Sequence, residues 1–313
     1  MTRRASGAAL ITAMLTVALV ASLAASALWQ QWRSVEVETA ERTRMQFSWV
    51  LNGALDWARL ILREAAKSGA VDHLSQPWAV PLQEARLSSF LAVDKSQPDE
   101  VLDAFLSGAI SDEQGLLNVN NLVLAGARSD PDYACFQRLF AYLGLPQQQL
   151  DGLLQAVLDQ QSARSAGAPL QPVWPEQLVW LGLPQRSVQL LLPFVTILPQ
   201  RSPLNLNTAP AEVLYASLPG VSLAQARALV LQRQRAHFDS VQAGIAAAGL
   251  QAAALKTDAY SVGSRYFRVR GRLRIGGQVA QEISLLERTG IDVRVLWRRR
   301  TADPVQGLVA PLQ

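Results

Sequence analysis

Few side chains in this 313-residue chain are of types and spacings that do chemistry. Asp112, Glu113, Asp130 and Asp132 bring carboxylates into one stretch, and oxygen ligands are what calcium takes. Their spacing matches no loop motif for that ion, so they read as caps or solvated acids, and the metal ligands stay unknown. His73 and His237 lie far apart in sequence with no cysteine pair near either, so no zinc ligand set is visible. The one cysteine, Cys135, cannot close a disulfide within the chain and sits in what reads as a helix interior. No Gly-x-Ser-x-Gly elbow, Walker loop or paired-histidine motif is present. An enzyme is therefore not expected.

Phosphate binding is the other chemistry on offer. The stretch LNLNTAPAEVLYASLPGVSLAQARALVLQRQRAHFDSVQAGIAAAGL, from Leu204, resembles a helix-hairpin-helix unit. There the turn Leu218, Pro219, Gly220, Val221 joins two short helices, and the amides opening the second can hold a phosphate. Similar LNxNTA segments occur in competence receptors that take up DNA. Ser222 stands where such turns carry a second glycine, and a side chain there hinders close backbone approach. Arg227, Arg233 and Arg235 are the available cations, and no lysine lies between Lys95 and Lys256. Phosphate affinity rises with the number of neutralising contacts. The expectation is a compact helix-turn-helix packing unit that shares a fold without sharing its function, and nucleic acid is not an expected partner.

The elements that position these residues begin at the N-terminus. Arg3 and Arg4 precede a run without charge from Ala8 to Trp32. As a helix that run is about 37 Å long, enough to cross a hydrocarbon core of roughly 30 Å. It is too long for an ordinary signal-peptide core, although a cut near ASLAASA or a plain signal anchor are the readings it competes with. The basic leader predicts a cytoplasmic N-terminus, with everything after Arg33 across the membrane. Apolar residues then recur at Phe47, Val50, Leu51, Ala54, Trp57, Ala58, Ile61 and Ala65, the spacing of one helix face.

From Leu122 to about Leu255 the reading is almost entirely helical, with Gly144 and Gly182 where helices end. The C-terminal part changes period. Phe267, Val269, Gly271, Leu273 and Ile275 alternate with Arg268, Arg270, Arg272 and Arg274, then Gly276-Gly277 turns, and Ile291, Val293, Val295 and Trp297 begin a further alternation. This predicts a three-stranded antiparallel meander. Ten arginines between Arg265 and Arg300 against three acids make this the basic end of a chain of net charge +4. The arginine stripe reads as a solvated sheet face that deters edge pairing, with contact to an acidic partner subunit left open.

A short basic leader ending in Gly7, an unbroken apolar helix and then an amphipathic one resemble a type IV prepilin-like N-terminus. The resemblance implies cleavage after Gly7 by prepilin peptidase and methylation of Ala8. Such chains usually carry Glu at the fifth mature position, thought to pair with a neighbouring subunit's N-terminal amine. Here that position is Thr12, which fits a subunit with none ahead of it. Together with DWARLILREAAKSGAVDHLSQPWAVPL (Asp56–Leu82), ISDEQGLLNVNNL (Ile110–Leu122) and LNLNTAPAEVLYASLPGVS (Leu204–Ser222), this resembles the K-type minor pseudopilin family of the type II secretion system.

The resemblance implies an α+β fold: a pilin-like long N-terminal helix plus an antiparallel sheet, with a large inserted all-α domain of helix-hairpin-helix or SAM-like type. Its expected boundaries are a leader at 1–7, a transmembrane part at 8–32, the first part of the pseudopilin domain at 33–121, the insertion at 122–256 and the sheet at 257–313. It further implies a non-enzymatic tip subunit in the inner membrane of a Gram-negative bacterium, with a periplasmic head. The implied partners are the I- and J-type minor pseudopilins, the major pseudopilin, the peptidase and membrane lipid, with calcium as a family cofactor. The competing expectation is a membrane-tethered helix-hairpin-helix DNA-binding protein of the competence type.

Overall fold

The computed structural model describes residues 6–87, 104–162, 170–251 and 255–301. The chain divides into two compact units, Met1–Gly53 and Ala54–Gln313. One helix, α1 (Ser6–Ser68), supplies the described structure of the first and opens the second. It is rich in alanine and leucine and contains no proline, the composition that favours a long helix. Thr12, Thr16 and Ser26 donate their hydroxyls to the carbonyls of Ala9, Ala13 and Leu23, so polar side chains in its apolar part meet their needs within the helix.

After α1 come β1 (Leu82–Arg86), β2 (Ala104–Asp112), β3 (Leu117–Asn118), β4 (Val123–Leu124) and β5 (Ala127–Arg128). The helices α2 (Asp130–Tyr142), α3 (Gln147–Ser162) and α4 (Gln185–Leu191) follow, then β6 (Val195–Thr196), β7 (Leu204–Asn205), α5 (Ala211–Ser217), α6 (Leu223–Arg235) and α7 (Val241–Ala247). β8 (Tyr260–Ser261), β9 (Tyr266–Ile275), β10 (Gln278–Thr289) and β11 (Asp292–Thr301) complete the described chain. Five strands form one antiparallel sheet in the order β1-β2-β9-β10-β11. β2 pairs with β9, Asp112 opposite Phe267, so the helical segment leaves and re-enters the sheet at adjacent positions.

Two cores result. In the second unit, Leu55, Ala58, Leu62 and Ala65 of α1 pack with Trp78 and with Phe267, Val269, Leu286 and Val293 of the sheet. The helical segment has its own core, including Leu122, Phe136, Leu150, Leu178 and Ile245. This is the expected α+β class.

Five expectations differ in detail. Trp57 is 63% exposed, because each residue turns the helix by about 100° and places it beside the buried face of Leu55, Ala58 and Leu62. The sheet has five strands rather than three. β1 and β2 carry weak patterns, and in β2 Gly108 is required by close packing: a Cβ there would lie 2.9 Å from the Arg270 carbonyl oxygen. The arginine-bearing strand β9 is central and not an edge, since β2 occupies its other side. Ile291 lies in the turn and is exposed, so the last strand begins at Asp292. Between the helices, three pairs of two-residue strands (β3-β6, β4-β5, β7-β8) interrupt the helical reading and give extended backbone its hydrogen-bond partners.

Candidate functional site

The polar residues inside this fold gather where α1 ends, where β2 gives way to the helical segment and where that segment returns to β9. Asp112, at the end of β2, is the centre. Its Oδ2 accepts from Asn205 Nδ2 at 2.9 Å, Thr208 Oγ1 at 2.6 Å and Ser264 Oγ at 2.5 Å, while Oδ1 caps the 3-10 turn after β2 by accepting from Gln114 N at 2.8 Å. Asp72, just beyond α1, accepts from Ser264 N at 2.7 Å and pairs with Arg288 of β10. Asn205 also donates to the Asp72 carbonyl, and Gln114 accepts from Arg265 N while donating to Pro203 O. Glu113, 1% exposed, takes Thr196 Oγ1 at 2.6 Å and Arg268 at 2.5 Å.

These contacts form a polar seam that ties the sheet, the end of α1 and the helical segment together. Gly115 belongs to it as well: a Cβ there would sit 2.9 Å from Thr208 Oγ1 and 3.1 Å from its backbone carbon. Burial pushes the Asp112 carboxyl up to about 6, against the pull of its bonds from Ser264 and Thr208. The segments ISDEQG and LNLNTA thus serve one physical purpose, as the two polar faces of a single internal joint.

The four acids of the sequence do not converge. Asp112 and Glu113 are used within the seam, Asp130 pairs with Arg128, and Asp132 pairs with Arg201 and accepts from Ser129. No group of three or more His, Cys, Asp or Glu able to hold a metal ion exists among the described residues. These acids do not fit a calcium site, and no step here depends on that ion. Cys135 donates toward the Ser217 carbonyl, and burial pushes its thiol up to about 11, which makes it a packing residue and not a nucleophile.

The helix-hairpin-helix turn is present, with Gly220 at φ +79° and with Leu218 and Val221 buried as its anchors. Two of the amides that would face a phosphate, those of Ser222 and Gln225, are already used. Ser222 caps α6 by accepting from Gln225 N at 3.3 Å, and Gln225 returns the bond to Ser222 N at 2.9 Å. The residue that departs from the glycine pattern is therefore the helix cap itself. Ser222→Ala is expected to cost about 1 kcal/mol of stability, read as a lower midpoint of thermal unfolding.

The arginine stripe is only partly a solvated face. Arg268 pairs with buried Glu113, and Arg274 lies over the Phe105 ring and bonds Glu84 through Nε and Nη2. Arg272 also meets Glu84, at 3.6 Å. At the far end of the sheet, Arg299 joins Glu176 and lies over Trp174, whose ring meets Trp297 edge-on. Sequence reasoning missed two further features. His73 and His237 come face to face, and Arg233 is buried with its guanidinium donating to Leu206 O at 2.7 Å. The signal for the second was a cation at an inward position of α6.

In α1, the most apolar 18-residue window has a mean hydropathy of 2.1 with none of it buried. Gly7 and Ala8 fall in the first turns of this helix, and Thr12 follows on it.

Comparison with known proteins gives the same arrangement a lineage. Residues 115–200 and 204–263 match two family models, each described as type II secretion system (T2SS), protein K. Both lie inside the segment between β2 and β9. Type II secretion system protein K of Pseudomonas aeruginosa is 27% identical over 317 aligned positions, which cover 92% of this chain and 90% of that protein. Among solved structures, a chain of the GspK-GspI-GspJ complex from the type 2 secretion system of enterotoxigenic Escherichia coli superposes with a TM-score of 0.66. It is 21% identical and covers 84% of this chain and 98% of that one. With consecutive protein K matches across the insertion, a protein K relative along most of the chain and a fold shared with that solved chain, this chain is similar along its length to the type II secretion system protein K family.

Proposed function

We propose that the chain is a minor pseudopilin that stands at the tip of a short periplasmic fibre and starts or caps its assembly during protein export. It is a structural subunit and not an enzyme in this reading. Its partners are I- and J-type minor pseudopilins, the proteins with which its structural neighbour was solved, and then the major pseudopilin. One observation carries the reading: the helix holding a lipid-length, wholly exposed apolar window is the same helix whose later turns build the core of the head. An anchor and an assembly rod are thereby one element. Trp57 and Leu60, on the part of α1 belonging to the head, are exposed at 63% and 44% and supply apolar surface for a partner helix.

Thr12 supports the tip position. A carboxylate in a membrane helix is costly unless paired, and a threonine whose hydroxyl is satisfied by Ala9 needs no subunit ahead of it. In this reading prepilin peptidase cuts after Gly7, Ala8 is methylated, the N-terminus stays cytoplasmic and the head is periplasmic.

Mass analysis of the N-terminus of membrane-extracted protein tests the proposal. A mature chain beginning at methylated Ala8 is the expected result. An intact Met1, or a cut near Ala27 that releases the head, would overturn it.

A further inference from the structure

The two histidines of the chain come together as a stack. Their ring centroids are 3.9 Å apart and their planes differ by 3°. His73 lies in the segment leaving α1, pinned one residue earlier where Asp72 N donates to Val262 O at 2.8 Å and the Asp72 carboxylate holds Arg288 and Ser264 N. His237 lies in the loop between α6 and α7. Its neighbour Phe238 is held on both backbone atoms by Asn207, through bonds of 2.8 and 2.9 Å.

We propose that the His73–His237 stack is an acid-opened clasp: while neutral it seats the α6–α7 loop on the segment leaving α1, and it releases that loop when both rings are protonated. This proposal stands independently of the secretion-system reading.

Two features of the geometry argue for it. Neutral imidazoles can lie face to face, whereas two imidazolium ions at this separation repel strongly in a partly buried setting. In addition, His73 Nδ1 is buried without a hydrogen-bond partner. An imidazolium must donate from both nitrogens, so protonated His73 would carry a buried, unmet donor. The nearby side-chain acceptor, Gln76 Oε1, already takes Trp78 Nε1 and His73 N.

The surrounding charges do not relieve this. Asp239 lies 3.3 Å from His237 Nε2. Asp72, adjacent to His73, is committed to Arg288 and Ser264. The last turn of α6 adds Arg233 and Arg235, both cationic. Burial first, and then the partner ring, hold His73 below the ordinary histidine range, with Asp72 opposing. A folded value lowered in this way gives a contribution present in full above the ordinary value of 6.5 and lost as pH falls through the folded one.

The test is amide hydrogen exchange on the full-length, detergent-solubilised protein at pH 7.5 and 5.0, with intrinsic rates divided out. Wild type is compared with H237F and H73F, which keep a flat ring but cannot titrate. In wild type, protection in segments 71–76 and 236–240 should fall about tenfold on acidification while β10 stays protected; in H73F it should change less than about twofold, and in H237F, where His73 stays buried but loses the facing ring, the fall should be smaller than in wild type. Segment resolution is needed because Asp112 titrates nearby with the opposite sign. Wild-type segments that keep their protection at pH 5.0 would overturn the clasp, as would an H237F chain that loosens as much as wild type. Should either variant lose β10 protection already at pH 7.5, the imidazole Cε1–H resonances of wild type decide. His73 is expected to titrate below the ordinary histidine range, and titration of His73 at the ordinary value overturns the proposal.

Discussion

Arg288→Ala should lower the stability of the head by roughly 3–5 kcal/mol, because it leaves a buried carboxylate without its cation. Arg288 is 8% exposed, donates to the Asp72 carboxylate and to Ser264 O, and lies 4.7 Å over the Phe267 ring. Truncation removes all three contacts, and Asp72, 1% exposed, has only the Ser264 amide left on its carboxylate. For a domain of this size the loss corresponds to a fall in the unfolding midpoint of about 6–20 °C. Circular dichroism of the detergent-solubilised chain measures it. A midpoint within about 2 °C of wild type would show that the seam does not hold the head together.

Asp112→Ala should cost about 2–4 kcal/mol at pH 7.5, since four donors lose their acceptor at once and at least some stay buried. Its pH dependence is the sharper signature. The folded carboxyl titrates at about 6 against an ordinary 3.8. Its contribution is therefore present in full below the ordinary value and is lost as pH rises through about 6. Between pH 7.5 and 5.0 the deficit of the variant relative to wild type should widen by about 1.4 kcal/mol. Denaturant unfolding at the two pH values reads this directly, and a deficit that narrows on acidification would contradict the assignment.

The parts of this fold that are legible in sequence are the periodic ones. α1 shows itself by a lipid-length run followed by a helical face, and β9 by strict alternation of apolar residues with arginines. The alternation identifies the strand but not its surroundings. Nothing in residues 266–275 says that β2, built of Ala, Ser and Gly among its larger residues, would lie against the far side.

The seam is illegible for a different reason. Asp72, Asp112, Asn205, Thr208, Ser264 and Arg288 are single polar residues from distant places in the chain, and no period joins them. The segments holding several of them stand out through family resemblance, but the resemblance does not say that they touch. The histidine stack is the same kind of case, since two isolated residues in separate segments leave no pattern. The helix-hairpin-helix turn lies between these extremes. Its backbone is readable from Pro219 and Gly220, and the role of Ser222 as the cap of α6 becomes clear only from the reciprocal bonds with Gln225.

The adjacency of Asp112 and Phe267 has a consequence for how the chain is made. As it emerges N-terminus first, β2 must wait for the whole of residues 113–265 before its neighbour exists, so the sheet cannot zip up early. Loop-closure entropy grows only slowly with length, so lengthening or trimming that stretch would change equilibrium stability little. Non-local pairing does slow folding. The economical order is for the helices to collapse first around their own core and bring the two strand ends together, so that the cargo carried between the strands acts as the template for closing them.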